Sequence, residues 1–522
     1  MCSFPVFRNE LIRSQPLSVF FAELPSFAKP TCGKQFAGLN CAVKRKPGFQ
    51  SLEAGRGSVS ACRSKCKMLE GNMPRKFDVI AIGTGSGASA VASRCREAGW
   101  QVAIVDSRPF GGTCALRGCD PKKVLVGAAE AVDWTRRMTG KGIQAAKLQI
   151  DWPELMRFKR SFTAPVPKRR EDGFANAGIP AFHGRARFAG PTTIQVGEET
   201  LEGRHVVIAA GEVPADLGIP GAEHLTTSDQ FLELNELPRR ILFVGGGYIA
   251  FEFAHVAALA GSQVTVLHRG SRPLALFDPD LVDQLVDRTR ELGIDVHLGT
   301  EAIGIERSAA QFIVRALASG ETGAFQADMV VHAAGRVPEI SDLNLDAVGI
   351  EREKRGVRVN EFLQSVSMPA VYAAGDAAAS GGPPLAPVAS YEGLIVAANL
   401  LQGNHRRANY LGTPSVVFTI PSLAAVGLSE RGAREQKLKF RVNKEMTSAW
   451  YSSRRVAETY SGYKVLVEEG TDRTLGAHIL GSEAGEVINL FALAIRSGMR
   501  ATDLKHMLFA YPTSGSNMTR ML

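Results

Sequence analysis

The sequence predicts an α/β fold with two doubly wound domains, because one plan occurs twice: a buried strand, a glycine turn, a helix and a second strand, at residues 77–108 and again at residues 239–272. At 522 residues the chain has room for about three or four domains with cores of their own. Its apolar and charged fractions are those of an ordinary globular protein, and 53 glycines imply many tight turns or phosphate-binding loops.

Net charge is +9, but it is unevenly placed. Residues 1–72 hold eleven Lys or Arg against four Asp or Glu and so supply +7 of it. The remainder is nearly neutral and offers no basic stripe for nucleic acid. Five of the eight cysteines (Cys2, Cys32, Cys41, Cys62 and Cys66) also fall in that segment, leaving Cys95, Cys114 and Cys119 beyond it. That distribution is not a secreted disulfide framework. No run of about 18 apolar residues appears, so no membrane span is expected. Residues 1–72 read as a basic, disordered extension or a mis-assigned start, with Met68 and Met73 as alternative first residues. Their Ser-, Arg- and Lys-rich, acid-poor composition also fits a transit peptide. The expected location is cytoplasmic, or organellar if this segment is a targeting signal.

In the first unit, FDVIAIGTGSGASAVASRCREAGWQVAIVDSR, a strand from Phe77 to Ile82 runs into Gly83, Gly85 and Ala88. Gly83 permits the tight turn, Gly85 lets the backbone approach a pyrophosphate, and Ala88 lets helix and strand pack closely. The N-terminus of the helix that follows turns free N–H groups toward the phosphates, with Ser86 among the cofactor-binding residues. A second strand, Gln101 to Val105, ends at Asp106, which can accept hydrogen bonds from a ribose. The second unit repeats the plan with Gly245, Gly247 and Ala250, and Val264 to Leu267 as its next strand. Two dinucleotide sites imply two cofactors. Where the first unit ends in an acid, the second ends in His268, with Arg269 and Arg272 close by; arginine accommodates the 2′-phosphate of NADP, so NADPH is favoured over NADH. The runs VVIAAGEVP (206–214) and MVVHAAGRVP (329–338) each place a buried strand against a glycine turn and can serve as domain crossovers. In AVYAAGDAAASGGPPLAPVASYEG (370–393), Asp376 follows a strand and Gly375 and can also cap the next turn.

Directly after the first unit comes PFGGTCALRGCDPKKVLVGAAE, residues 109–130. The five-residue spacing of Cys114 and Cys119 is neither a zinc knuckle nor the shorter thioredoxin-type motif, and no second pair follows to complete a metal site. Gly111, Gly112 and Gly118 allow sharp folding, and Pro121 suits the first turn of a helix through Lys122 and Lys123. A thiol at a helix start has its thiolate stabilised by the helix dipole. The pair reads as redox-active.

GGTCALRGCDPKK, both glycine fingerprints in this order and the AAGDA stretch together resemble the pyridine nucleotide-disulfide oxidoreductases, the family of glutathione reductase, dihydrolipoamide dehydrogenase and mercuric reductase. The resemblance runs from about Lys76 to the C-terminus. It implies two Rossmann-like FAD/NAD(P)-binding domains and a C-terminal α+β dimerisation domain: FAD-binding residues 73–211 and 337–405, an NAD(P)H-binding domain at 212–336 and an interface domain at 406–522. It implies FAD on the first site, with Asp376 at the ribityl chain and Gly112, Thr113, Lys123, Gly211, Gly335, Gly375 and Ala389 among the cofactor-binding residues. NADPH would take the second site, in a homodimer. It further implies that Lys122 pairs with Glu252 beside flavin N5, that Tyr248 covers the nicotinamide pocket, and that electrons reach the disulfide through Cys119 and leave through Cys114.

The chain departs from its relatives at FAYPTSGSNMTRML, residues 509–522, where Tyr511 replaces the family's histidine and Ser516 stands where its orienting glutamate would be. A phenol with a pKa near 10 is a feeble base at neutral pH, although it can donate a proton or bind a metal or thiolate. Mercuric reductases carry a tyrosine here too, but also a C-terminal cysteine pair; in this chain the last cysteine is Cys119. The arginines that would hold glutathione carboxylates align with Ser93 and Asn399. The expected activity is therefore NADPH-to-FAD-to-disulfide transfer, nearest the mercuric reductase-like branch, onto a small-molecule acceptor that the sequence does not name. The alternatives are a diaphorase that reduces quinones, dyes or metal ions without disulfide turnover, and a redox-sensing flavoprotein with little turnover.

Overall fold

The computed structural model of the protein describes residues 74–309 and 311–522. The expectations for residues 1–72, and Met73 as a first residue, lie outside them.

The first sheet is built on β1 (Arg75–Ile82), which runs through the turn at 83–85 into α1 (Ser86–Glu97) and on to β2 (Val102–Asp106). A short helix, α2 (Gly112–Arg117), and a long one, α3 (Cys119–Met138), follow, and β3 (Glu199–Ile208) returns to the sheet. β1 pairs in parallel with β2 on one side and with β3 on the other. Strands covered on both faces read as continuous apolar runs rather than alternating ones, as Val79–Ile82 and Val102–Val105 do. The sequence places both strands within two residues of their ends. It does not anticipate α2, because the glycines on either side obscure a six-residue helix.

The second sheet has four parallel strands in the order Asp295–Leu298, β5 (Gln263–His268), β4 (Arg240–Val244) and β6 (Met329–His332), with α4 (Tyr248–Leu259) between β4 and β5. α4 is apolar on all sides, with Phe251, Val256 and Leu259 buried, yet it also buries Glu252 and His255. Buried polar groups are costly unless partnered, so their partners carry information. The runs read as crossovers pair with each other: Glu212–Pro214 and Arg336–Pro338 form a two-stranded antiparallel link.

After the second sheet the chain returns to the first through β7 (Val371–Ala373), parallel to β3, and α5 (Ala386–Gln402) packs against α1. The remaining residues form a five-stranded antiparallel sheet, order Ser415–Val417, Ser422–Gly427, Thr474–Gly481, Gly462–Glu468, Phe440–Met446, backed by the helix Ala484–Ser497. This is the α+β architecture expected for the C-terminal part.

Candidate active site

Asp106, at the tip of β2, is held by its own loop. One carboxylate oxygen accepts from the Thr84 backbone N–H at 2.9 Å and hydroxyl at 2.6 Å, and the other accepts from the Arg108 N–H at 3.0 Å. The Thr84 hydroxyl also accepts from Gly111 N–H at 3.1 Å, which fastens the cysteine-bearing loop to the glycine turn of β1. Beside this bond the two backbones themselves meet: Gly112 has φ +73°, and a Cβ there would collide with Gly85. Only glycine fits such an approach without strain.

From this anchor α2 carries Cys114 and α3 begins at Cys119. In this structure both are free thiols, Cys114 half-buried and Cys119 exposed. Cys119 is pushed down to about 7, first by the hydrogen bond from the Cys114 thiol and then by the Lys122 charge, against burial and Asp120. That same bond, with burial, holds Cys114 well above the ordinary thiol range. The proton is thus held preferentially on Cys114 and the negative charge on Cys119. Cys95 is different, lying on the buried face of α1 and pushed up to about 12 by that burial, with Asp78 adding to it.

One turn into α3, Lys122 Nζ lies 2.8 Å from Glu252 Oε1 on α4, 130 residues away in sequence. The same oxygen accepts from Phe418 N–H at 2.8 Å, while Glu252 Oε2 is buried without a partner. A buried ion pair is weak evidence for stability, because desolvation of both ions opposes their attraction. Its retention in a cleft beside a thiolate points to chemistry.

Cys114, Cys119, Lys122, Glu252 and Asp106 line one open cleft. Of the residues singled out from sequence, Gly83, Gly85, Ser86, Asp106, Gly112, Thr113, Cys114, Cys119, Lys122, Gly211, Tyr248, Glu252, Gly375, Asp376 and Ala389 line it. Ala88 is fully buried behind the turn. Lys123 turns away to Glu130 at 3.1 Å. Sequence reasoning missed Thr84, Arg108, Arg117, Glu212, Arg336 and Glu339, which line the same cleft. Glu212 and Arg336 form an ion pair at 2.8 Å across the two-stranded link, and burial raises both Glu212 and the nearby Asp376 above the usual carboxylate range. Arg108 pairs with Glu339 and Arg117 with Asp229. The cleft's donor set suits a dinucleotide: glycines at 83, 112 and 375 where a side chain would clash, the N-terminus of α1, Arg108 and Arg336, and Arg117, whose buried Nε lies 3.4 Å from Asp229 without a hydrogen bond. FAD fits these residues.

The second glycine turn is built alike and lined differently. Gly245 has φ +132° and lies against the Ala333 carbonyl. Gly247 is open, Ala250 is buried, and Gly335 has φ +118° on the neighbouring turn. The His268 ring lies across Gly246 and Gly270, and its Nε2 bonds to Arg272 O at 3.0 Å. The two arginines differ. Arg272 is held by two hydrogen bonds to Asp283 at 2.9 and 3.0 Å, whereas Arg269 is 81% exposed and only 3.9 Å from Glu301. Asn399 is structural: it donates to Phe362 O and Arg406 O and accepts from His405 and Arg406 N–H. Tyr511 is 82% exposed, on a surface segment with Leu508. Among the described residues no group of three or more His, Cys, Asp or Glu is arranged to hold a metal, and no helix is long and apolar enough to cross a membrane.

Residues 77–393 match the family model described as pyridine nucleotide-disulphide oxidoreductase, and residues 413–522 match that family's dimerisation domain. Among similar proteins, a glutathione reductase of Burkholderia cepacia is 34% identical over 442 residues, which span 84% of this chain and 96% of that protein. A mercuric reductase of Staphylococcus aureus is 32% identical, over 86% of this chain and 82% of its own. A dihydrolipoyl dehydrogenase of Bacillus subtilis is 30% identical, over 86% and 96% respectively. The chain belongs to the pyridine nucleotide-disulphide oxidoreductase family, as an FAD-binding oxidoreductase that uses a nicotinamide nucleotide and carries the family's dimerisation domain.

Proposed function

We propose that the chain is an NADPH-dependent reductase whose redox-active pair is Cys114 and Cys119, working as a homodimer on a small-molecule acceptor. One observation carries this reading: a thiol pair split into a proton-bearing Cys114 and a low-pKa Cys119 shares a cleft with the Lys122–Glu252 ion pair.

Each residue then has a task. Gly83, Gly85, Ser86, Gly112 and Thr113 hold the pyrophosphate of FAD, Asp106 its ribose and Asp376 the ribityl chain. FAD, when bound, accepts hydride from the nicotinamide and passes two electrons to sulfur. Lys122 and Glu252 fix charge beside the reacting ring, and Tyr248, half exposed on α4, closes the nicotinamide side. Two electrons and one proton open the disulfide to the Cys114 thiol and the Cys119 thiolate. Cys114 passes its proton to the hydrogen-bonded Cys119 thiolate as it attacks the acceptor; Cys119 then gives that proton up to the leaving group as it displaces it, and the disulfide re-forms as the reduced acceptor departs. Tyr511 of a second copy supplies a proton donor in place of a histidine, which disfavours ordinary dithiol exchange. Arg269 takes the 2′-phosphate of NADPH.

Anaerobic NADPH titration tests this. The expected result at two electrons per subunit is a long-wavelength thiolate–flavin band, with new thiols at Cys114 and Cys119 by site-resolved alkylation. Direct bleaching of the flavin without new thiols sinks the disulfide and leaves the diaphorase reading. A turnover screen against glutathione disulfide, lipoamide, mercuric ion and quinones then identifies the acceptor.

A further inference from the structure

His255 lies on α4 one turn beyond Glu252 and is completely buried in a helix whose neighbours are apolar. Such a residue reads as core. Its hydrogen bonds say otherwise. Nδ1 accepts from the Ile420 N–H at 3.0 Å and Nε2 meets the Thr289 hydroxyl at 2.9 Å, whose own proton goes to Leu285 O at 2.7 Å. The accepting Nδ1 fixes the tautomer: Nε2 carries the proton and donates it to Thr289. Every donor and acceptor is satisfied only while the ring is neutral. Burial, with the nearby Arg288 charge, pushes its pKa down to about 3, which keeps it so.

Ile420 is two residues beyond Phe418, whose N–H is held by Glu252. Two side chains one turn apart on α4 therefore grip alternate N–H groups of a single segment of the C-terminal domain, just after the strand Ser415–Val417. That segment also reaches the lysines that follow Cys119, since the Phe418 ring centroid lies 4.9 Å from Lys122 Nζ and 4.5 Å from Lys123 Nζ. Fixing residues 418–420 thus sets both the N–H that partly neutralises Glu252 and the ring against Lys122.

We infer that His255 is a positioning residue for the redox centre, holding the Phe418–Ile420 segment so that Glu252 and Lys122 present a fixed charge to Cys119 and the cofactor. The inference rests on the proposed role of that ion pair. Without an acceptor at position 255, the Ile420 N–H is buried and unpaired, the segment shifts, and Phe418 withdraws its donor from Glu252. Glu252 then carries more uncompensated negative charge beside Lys122. Both the Cys119 thiolate and a reduced cofactor, each more negative than its partner form, are disfavoured.

The test compares His255→Leu, which removes the acceptor at similar volume, with His255→Asn, whose amide oxygen can still take the Ile420 N–H. Both are measured as FAD-loaded full-length protein. In His255→Leu the pH midpoint for iodoacetamide alkylation of Cys119, resolved by mass spectrometry in the dithiol form, rises by about 0.5 unit or more. The oxidised-to-reduced flavin ratio at a fixed NADPH/NADP⁺ ratio rises at least roughly threefold. His255→Asn restores most of both. An unchanged midpoint in a folded His255→Leu protein, or no rescue by asparagine in a folded His255→Asn protein, overturns the inference. Failure of the disulfide reading looks different: NADPH then generates no thiols at Cys114 and Cys119 in any variant, while the midpoint shift in His255→Leu persists.

Discussion

The two glycine turns share one backbone and have opposite surroundings. At Gly83 and Gly245 the positive φ and the close neighbouring carbonyl, Ala209 in one and Ala333 in the other, are the same device. Beyond it, the first turn is roofed by the cysteine loop, with Gly112 against Gly85 and Thr84 tied to both Asp106 and Gly111. The second has no such roof at Gly247, and its strand tip carries His268 and Arg269 instead of a clamped acid. On the proposed reading, the first turn holds the resident FAD and the second a nicotinamide nucleotide that exchanges. The same unit is thus adapted by what the loop after its second strand does.

The comparison breaks first at the glycines. Gly83→Ala places a Cβ on a carbonyl at φ +109°, and loss of bound FAD is expected, read as the 450 nm absorbance kept after desalting. Gly245→Ala is expected to keep FAD and lose reduction by NADPH, a selective defect that follows only if the two turns serve different ligands. Equal loss of FAD in both variants would end the distinction. Next in size, Cys119→Ser is expected to lower turnover of the physiological acceptor by about a thousandfold. NADPH-driven dye reduction should stay within a fewfold, because the dye takes electrons before the sulfur. A parallel fall in both activities would place Cys119 in the structure rather than in the circuit.

Legibility in the sequence follows range. The strand–turn–helix units could be read because their signal lies within about 30 residues: an apolar run, glycines at fixed offsets, a terminal acid. The pairing of Lys122 with Glu252 was accessible only through family resemblance, since 130 residues separate them. Arg108, Glu339, Arg117, Asp229, Glu212 and Arg336 left no signal, because each pair forms only when chain segments more than 100 residues apart meet in the cleft. His255 was hidden for another reason. It sits in YIAFEFAHVAAL, where an apolar window reads as core whatever one polar residue does inside it.

The second turn is sharpened by its two arginines, of which the sequence puts Arg269 first. Arg269→Glu is expected to raise KM for NADPH about 10- to 100-fold while changing NADH less than about threefold, the scale of one charge-assisted phosphate contact. Arg272→Glu should have a smaller effect, because Asp283 already holds that guanidinium by two bonds. Steady-state kinetics with both nucleotides decides this, and a larger effect at Arg272 would mean that it leaves Asp283 on binding.

The smallest expected effect concerns the roof of the first turn. Cys119 sits at about 7 through the hydrogen bond from Cys114 first and the Lys122 charge second. Because the pKa is lowered, the thiolate dominates above pH 7, and alkylation of Cys119 should fall about tenfold per unit below it. Lys122→Met removes the second cause and leaves the first, so the midpoint should rise by less than about one unit and remain below the ordinary thiol value. Cys114→Ser weakens the larger cause and should move it further. If Lys122→Met moves the midpoint more than Cys114→Ser does, the ion pair rather than the neighbouring sulfur governs the thiolate, and α4 controls the cysteine loop more directly than the loop's own fastening to the glycine turn.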